Sequence, residues 1–439
     1  MRNQTPDAEE SHETKGLLRL TMACNERCPF CNVPAEDYRP NLTPPWADVE
    51  TQLAAFVASG ERTLTISGGE PTLLRRRLIR LITAARADGV PLVELQTNAV
   101  LIDDAYATAM AVAGLTSAFV SLLSDVPALH DELAGLDGAH PRCLGGIDAL
   151  LDAGVRVTLN PVLARQTEGR LLDYIAFIAQ RLPRVRSISL SAVQPHGRAA
   201  DDPALMPDYA VLGPQVPQAR AAAAAAGIEL LNPYCGLPLC VGWSDDLDHC
   251  VEAIEARAGG WQERPGVENQ GDKSHRAACS GCALRGWCGG AWHAYWDHRD
   301  GSGIAPPSLT IAPWRTGAQQ HPYQTIVRAP EGPTEASWVA IDAARTPTVW
   351  LWTRSLLPTD LDRLKAARCT DVGLEVAAAG MATGGGEARA VARLLRRLVR
   401  GPQRVRLAVR PGGHSRDDLR ALATLAATLG ATGVDVLPS

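Results

Sequence analysis

At 439 residues, with 46% hydrophobic and 21% charged residues, the chain is too long for one ordinary core and too apolar for a mostly disordered protein. Its 43 basic and 48 acidic residues give a net charge of −5 and are mixed along the chain, which excludes the basic footprint of a nucleic-acid binder. No long apolar stretch follows the polar start "MRNQTPDAEESHETKG", so neither a signal peptide nor a membrane span is expected, and the protein is placed in the cytoplasm.

After a polar tail (1–16), residues 17–198 alternate short β-rich runs with longer helical patterns, the signature of a parallel sheet with crossover helices. The runs "LLRLTM", "RTLTIS", "PLVELQT", "SAFVSLL", "VRVTLNPV" and "RSISLSAV" predict six βα units, an α/β fold of the partial (β/α)6, TIM-like barrel kind. Several runs end in polar residues: Ser67, Thr97 with Asn98, Ser121, Asn160, and Ser189 with Ser191. The C-terminal strand ends of such a barrel face its active site, which gives polar groups a use there.

Directly after the first run comes "TMACNERCPFCNVPAED", with cysteines at 24, 28 and 31. The chain has eleven cysteines, an odd number, and in a reducing compartment these are not a disulfide framework. Cys143 and Cys369 stand alone and read as small buried thiols. The spacing CxxxCxxC is not a zinc pattern, which pairs two knuckles or adds histidines to reach four ligands.

The stretch 199–234 is alanine-rich and reads as a helical connector. Residues 235–300 carry a second cysteine group, Cys235, Cys240, Cys250, Cys279, Cys282 and Cys288, among many Gly, Trp and His, as a small module held by metal would. A Pro/Gly-rich linker (301–336) precedes a C-terminal α/β domain (337–439). Within it, "VWLWTRSLLPTDLDRLKAARCTDVGLEV" runs parallel to "VELQTNAVLIDDAYATAMAVAGLTSAFVSL", and "RVRLAV" with its following helix runs parallel to "RVTLNPV" with its own. The domain therefore reads as a partial repeat of the barrel without the cysteine segment.

Taken together, CxxxCxxC after the first strand, "GGEP" after the second and "QTNA" after the third resemble the radical S-adenosylmethionine superfamily. The resemblance implies that Cys24, Cys28 and Cys31 hold a [4Fe-4S] cluster with one iron open, where S-adenosylmethionine binds. It places Gly68, Gly69, Glu70 and Pro71 at the cofactor's amino group, and Thr97 and Asn98 near its methionine or ribose end; Ser121 and Asn160 are weaker carry-overs. Ala99 stands where the family has glycine. The implied chemistry is reductive cleavage to a 5′-deoxyadenosyl radical that abstracts hydrogen from substrate, with a flavodoxin or ferredoxin as reductant.

The run CxxCxxxxxC at 279–288 resembles the SPASM extension, which binds auxiliary iron-sulfur clusters, but Trp292 stands where that pattern has a further cysteine. Three readings are open: two clusters with three cysteines each, with one iron open or filled by a group such as His293, Asp297 or His298; a Twitch-like module binding one cluster with four of the six thiols; or a structural Cys3His zinc site. Trp243, Trp261, Trp287, Trp292 and Trp296, with His249, His275, His293 and His298, either line a cavity or wrap a cluster. Gln194, His196 and Arg198 after the sixth strand either contact cofactor or substrate carboxylate or form a tight connecting turn.

The first functional reading is a peptide-modifying radical enzyme forming a crosslink, thioether or epimer. The 23 residues before Cys24 are too few for the leader-binding winged helix many such maturases carry. The alternatives are a radical enzyme acting on a small metabolite such as a sugar or amino acid, and a non-catalytic iron-sulfur electron-transfer protein.

Overall fold

The computed structural model describes residues 15–33, 43–258, 270–307, 317–321, 324–410 and 413–436. Trp261 and most of the polar tail lie outside these residues. The chain divides into two compact units, one of residues 1–274 and 289–305, the other of 275–288 and 306–439.

In the first unit seven strands pair in sequential order: β1 (Lys15–Thr21), β2 (Thr63–Gly68), β3 (Leu92–Thr97), β4 (Ser117–Val120), β5 (Arg156–Leu159), β6 (Ser187–Ser189) and β7 (Glu229–Leu231). All neighbours are parallel. Between them run α1 (Trp46–Ser59), α2 (Arg75–Ala87), α3 (Asp104–Ala113), α4 (Pro127–Ala134), α5 (Ala139–Asp152), α6 (Leu171–Arg181), α7 (Tyr209–Leu212) and α8 (Gln215–Ala225). Right-handed crossovers in an unbroken strand order put every helix on the same face of the sheet, which is a partial TIM-like barrel and not a doubly wound sheet.

Strand parity shows which face is which. Leu18, Leu20, Leu64, Ile66, Val93, Leu95, Val120 and Leu159 are buried on the helix side. A Cβ on Gly16 would stand 2.3 Å from the Phe56 ring of α1, so that parity of β1 abuts a helix. The opposite, inner face carries Lys15, Leu17 and Arg19, then Thr65 and Ser67, Glu94 and Gln96, Phe119 and Thr158. It is polar and cross-linked: Thr65 donates to Glu94 (3.1 Å), Lys15 pairs with Glu94 (3.1 Å), and Ser67 donates to Gln96 (2.6 Å).

Two sequence expectations change here. The 199–234 segment is not only a connector, because its last residues form β7, too short and too lightly apolar to stand out. The cysteine-rich segment does not sit as one module: after α9 (Val251–Ala258), residues 273–274 and 291–292 pair as β8 (Lys273–Ser274) and β9 (Ala291–Trp292), leading into α10 (His293–Arg299), while residues 275–288 belong with the second unit.

The second unit has a six-stranded sheet, also in sequential order: β10 (Gly317–His321), β11 (Gln324–Ala329), β12 (Thr348–Thr353), β13 (Asp371–Val376), β14 (Arg404–Val409) and β15 (Gly433–Val436). Only β10–β11 is antiparallel. The first two strands fall inside the stretch read as a linker. Helices α11 (Glu335–Asp342), α12 (Pro358–Ala366), α13 (Gly386–Leu398) and α14 (Arg416–Leu429) intervene, and one large core gathers Val349, Leu351, Val372, Leu374 and Leu407 with helix residues such as Leu364, Leu395 and Leu422.

The segments of the two units that run parallel in sequence share a local device. In the first unit Thr116 brackets Val93, its N–H and hydroxyl donating to the Val93 carbonyl (2.9 and 2.8 Å) while the Val93 N–H donates to the hydroxyl (2.9 Å). In the second unit Thr370 brackets Val349 in the same three bonds, at 3.0, 3.2 and 2.8 Å. What differs is the other face. Trp350 and Trp352 occupy the parity that Glu94 and Gln96 hold in the first unit, and they stack with centroids 5.0 Å apart beside Ile326 and Ala408.

Gly373 is the space that admits this stack, since a Cβ there would lie 1.9 Å from Trp352 Cε3. Gly373→Ala should therefore cost about 2 kcal/mol or more by overpacking. Urea unfolding followed by tryptophan fluorescence checks this, and an unchanged midpoint would mean the stack is loosely packed.

Candidate active site

The backbone brings the ends of β1, β2 and β3 together. Gly69 N–H donates to the Thr21 carbonyl (2.7 Å) and Glu70 N–H to the Ala23 carbonyl (2.8 Å). Only glycine allows this: a Cβ on Gly68 would stand 1.9 Å from Thr21 O, and one on Gly69 2.2 Å from Ala23 O. The two glycines thus serve a backbone-to-backbone approach that fixes where the cysteine loop begins.

Glu70 follows, 1% exposed. Its Oε1 accepts from Thr72 N–H (2.9 Å), the Thr72 hydroxyl (2.6 Å) and the Thr97 hydroxyl (2.9 Å), and its Oε2 accepts from Asn98 N–H (2.8 Å). Burial pushes its carboxyl above the ordinary range while these four donors oppose that shift. Pro71 is buried at the start of a 3-10 turn whose cap is the Glu70 carboxylate. Glu70 and Thr97 are thus bonded to each other within the protein. Thr97, 5% exposed, also accepts from Ala99 N–H (2.9 Å).

The cysteine loop hangs from these ends. Glu26 N–H donates to Cys24 Sγ (3.4 Å), Cys31 N–H to the Cys28 carbonyl (3.3 Å), and Arg27 N–H to the Ala134 carbonyl (2.8 Å). From after β6, Arg198 staples the loop, its guanidinium donating to the Cys28 carbonyl (3.2 Å) and its N–H to the Cys31 carbonyl (2.9 Å). Arg198 thus bonds the cysteine loop itself, a contact that the sequence alone does not name. Burial pushes the Cys24 thiol up to about 12 and the Cys28 thiol well above its ordinary value, and neighbouring cysteines add to both shifts.

Asn25 and Glu26, inside the motif, carry no sequence signal beyond their place between cysteines. Asn98 Nδ2 donates to Asn25 Oδ1 (2.9 Å), while Asn25 Nδ2 is buried with no partner among the described residues. Glu26 is 6% exposed, and burial lifts its carboxyl to about 7. At the next strand ends, Ser121 N–H donates to the Thr97 carbonyl (3.1 Å), and Asn160 is 9% exposed with Oδ1 unpartnered among the described residues. Two orphaned buried amide atoms at the mouth of a barrel fit a polar ligand that would satisfy them.

The donors on the loop are three thiols. Among the described residues no three His, Cys, Asp or Glu side chains converge as one metal ion requires, its ligands lying about 2.0–2.3 Å from a common point. Three cysteine thiols on one loop are the donor type that an iron-sulfur cluster takes.

The later cysteines fall in both units. In the first, Cys235 Sγ donates to Ser191 Oγ beyond β6 (3.2 Å), Cys250 accepts from Asn232 Nδ2 (3.7 Å), and Cys240 is half-buried. In the second, Cys279 and Cys282 share a turn, Cys282 N–H donating to the Cys279 carbonyl (3.2 Å), and Cys288 is buried. Cys369 lies in the second core with Sγ donating to the Asp371 carbonyl (3.1 Å), and Cys143 is fully buried, so both are the small buried thiols expected. His196 packs its edge on Trp292 (5.3 Å) and lies 3.6 Å from Asp272.

The Radical SAM superfamily profile matches residues 18–178, the segment that holds the triad, the glycine turn and the first five strands. Residues 18–178 form a radical SAM domain. Among curated proteins it is similar to the PqqA peptide cyclase of Rhizobium meliloti (strain 1021), 33% identical over 186 residues, 42% of this chain and 48% of that protein. It is also similar to the probable GTP 3′,8-cyclase of Sulfurisphaera tokodaii, 33% identical over 161 residues, 36% of this chain and 50% of that one. The chain spans about half the length of these relatives. Among solved structures, SuiB of Streptococcus suis bound to S-adenosylmethionine matches with a TM-score of 0.42 at 18% identity over 50% of each chain.

Within this radical SAM domain, Ala99 departs from the family's glycine at a cost that is visible. It has φ 59°, a left-handed conformation that a Cβ disfavours by about 1–2 kcal/mol. Room for its methyl comes from α5, where a Cβ on Gly146 would meet Ala99 O at 2.1 Å and Ala99 Cβ at 3.0 Å. Ala99→Gly should leave stability unchanged or raise it by up to about 1 kcal/mol, whereas Gly146→Ala should cost about 2 kcal/mol or more. Denaturant midpoints of the two variants check the pair, and equal effects would contradict this packing.

Proposed function

We propose that this radical SAM protein is an enzyme that generates a carbon-centred radical on a peptide substrate. Cys24, Cys28 and Cys31 would hold a [4Fe-4S] cluster with one open iron, and S-adenosylmethionine would lie against the strand ends that carry Gly68, Gly69, Asn98, Ser121 and Asn160. When bound and reduced, the cluster supplies the electron that cleaves S-adenosylmethionine to a 5′-deoxyadenosyl radical. The protein's share is orientation. Asn25 Nδ2 and Asn160 Oδ1 offer one free donor and one free acceptor to the cofactor's polar groups. Glu70 with Pro71 and Thr97 fix the strand ends from behind, and Arg198 holds the loop.

The observation that carries this reading is the three-thiol loop pinned by the Gly68–Gly69 approach to Thr21 and Ala23. A peptide substrate is supported by the similarity to PqqA peptide cyclase and by the cysteine-rich segment that follows the domain. Cys235, Cys240 and Cys250 in the first unit, and Cys279, Cys282 and Cys288 in the second, would serve one or two auxiliary clusters, and a flavodoxin or ferredoxin would supply electrons. In the same reading the second unit is a copy of the half-barrel that lost its cysteine loop and filled its inner face with tryptophan. The similarity to GTP 3′,8-cyclases supports a second reading, a nucleotide substrate.

Anaerobically reconstituted wild type, reduced with dithionite, should release 5′-deoxyadenosine from S-adenosylmethionine. Replacing Cys24, Cys28 and Cys31 together by alanine should abolish that release and remove about four irons per chain while auxiliary iron stays. Undiminished release by the triple variant would refute the assignment.

A further inference from the structure

The inner face of the first three strands carries a feature that holding the cofactor does not use. Arg19 stands on it two residues below Thr21, where β1 turns into the cysteine loop, and it is exposed. Among the described residues its guanidinium has no hydrogen bond and no ion pair. The neighbouring charges cancel: Lys15 pairs with Glu94 at 3.1 Å, and Thr65 donates to the same carboxylate. Among the described residues Arg19 is therefore the uncompensated cation on the inner face of β1–β3.

The next strands add to it. Ser67, the β2 partner of Arg19 in register, donates to Gln96 Oε1 at 2.6 Å. That bond fixes the Gln96 amide with Nε2 as the group left to donate, and the Cα atoms of Arg19 and Gln96 lie two strand spacings apart, about 10 Å. The half-exposed Phe119 ring continues the row on β4, opposite Gln96. A guanidinium fork, an amide donor and an aromatic floor on one sheet face suit a carboxylate on a short apolar stem.

We infer that this row binds a single carboxylate of the substrate, held by the Arg19 guanidinium and the Gln96 amide. The inference rests on the radical-enzyme reading and narrows its substrate class. One cation matches one carboxylate, whereas a nucleoside triphosphate carries about four negative charges and calls for several cations or a backbone nest. An acidic side chain or a chain-end carboxylate of a peptide meets the requirement.

The test uses the reconstituted full chain with S-adenosylmethionine and three probes: N-acetyl-Ala-Glu-Ala-amide, its Gln counterpart, and GTP. Labelling of Arg19 by phenylglyoxal, read by peptide mass spectrometry, should be slowed by the Glu peptide and not by the Gln peptide. Arg19→Gln should weaken calorimetric binding of the Glu peptide about tenfold or more, and Arg19→Lys should recover part of the loss. Equal protection by the two peptides, no protection by either, or stronger protection by GTP would overturn the inference. Release of 5′-deoxyadenosine by the same wild-type preparation tests the radical reading separately, because it needs no occupant on Arg19.

Discussion

One buried carboxylate holds the mouth of the barrel in shape. Glu70 sits at the end of β2 with no cation beside it among the described residues, and its charge is carried by four donors from its own turn and from the end of β3. Hydrogen bonds to a charged group are worth about 1.5–3 kcal/mol each, and breaking them inside a protein leaves the penalty of an unsatisfied charge. The same residue's N–H reaches back to Ala23, one residue before the first cysteine. Three strand ends are thus located by one side chain and its own peptide group, and the cysteine loop starts from a fixed point.

From that point the two faces of the sheet divide the work. The helix side is apolar and supplies cohesion, with Leu20, Leu64, Ile66 and Leu95 fully buried. The inner side pairs Glu94 with Lys15 and Thr65 and sets Ser67 on Gln96, so it can face a polar occupant. The second unit makes the contrast concrete. It keeps the strand order and the threonine bracket on the valine, yet Trp350 and Trp352 stand where the polar pair Glu94 and Gln96 stands in the first unit. An inner face filled by stacked indoles has stability to offer and no room for a ligand.

Much of the first unit is legible in the sequence because its signals are local. Apolar runs, several of them ending in a polar residue, mark β1 to β6, and the cysteine spacing identifies the loop after β1. Motif position points to Glu70 and Thr97, but not to the bond between them, since donors 27 and 28 residues away are invisible to a pattern. Arg198, 170 residues from the carbonyl it caps, is unreadable for the same reason. The short β7 lacks the length to announce itself, and the cysteine-rich segment looks like one module because composition does not record that residues 275–288 fold with the later chain. Asn25 and Glu26 look like mere spacers between cysteines, although one ends in an orphaned donor and the other is buried.

The most direct measurement is the unfolding free energy of Glu70→Gln without S-adenosylmethionine, beside its binding of that cofactor. An amide in place of the carboxylate turns one acceptor into a donor facing donors. If Glu70 ties the strand ends from behind, stability should fall by about 2 kcal/mol or more before any ligand is added. A wild-type unfolding free energy together with lost cofactor binding would contradict this, and would mean that the carboxylate faces the ligand instead of the fold.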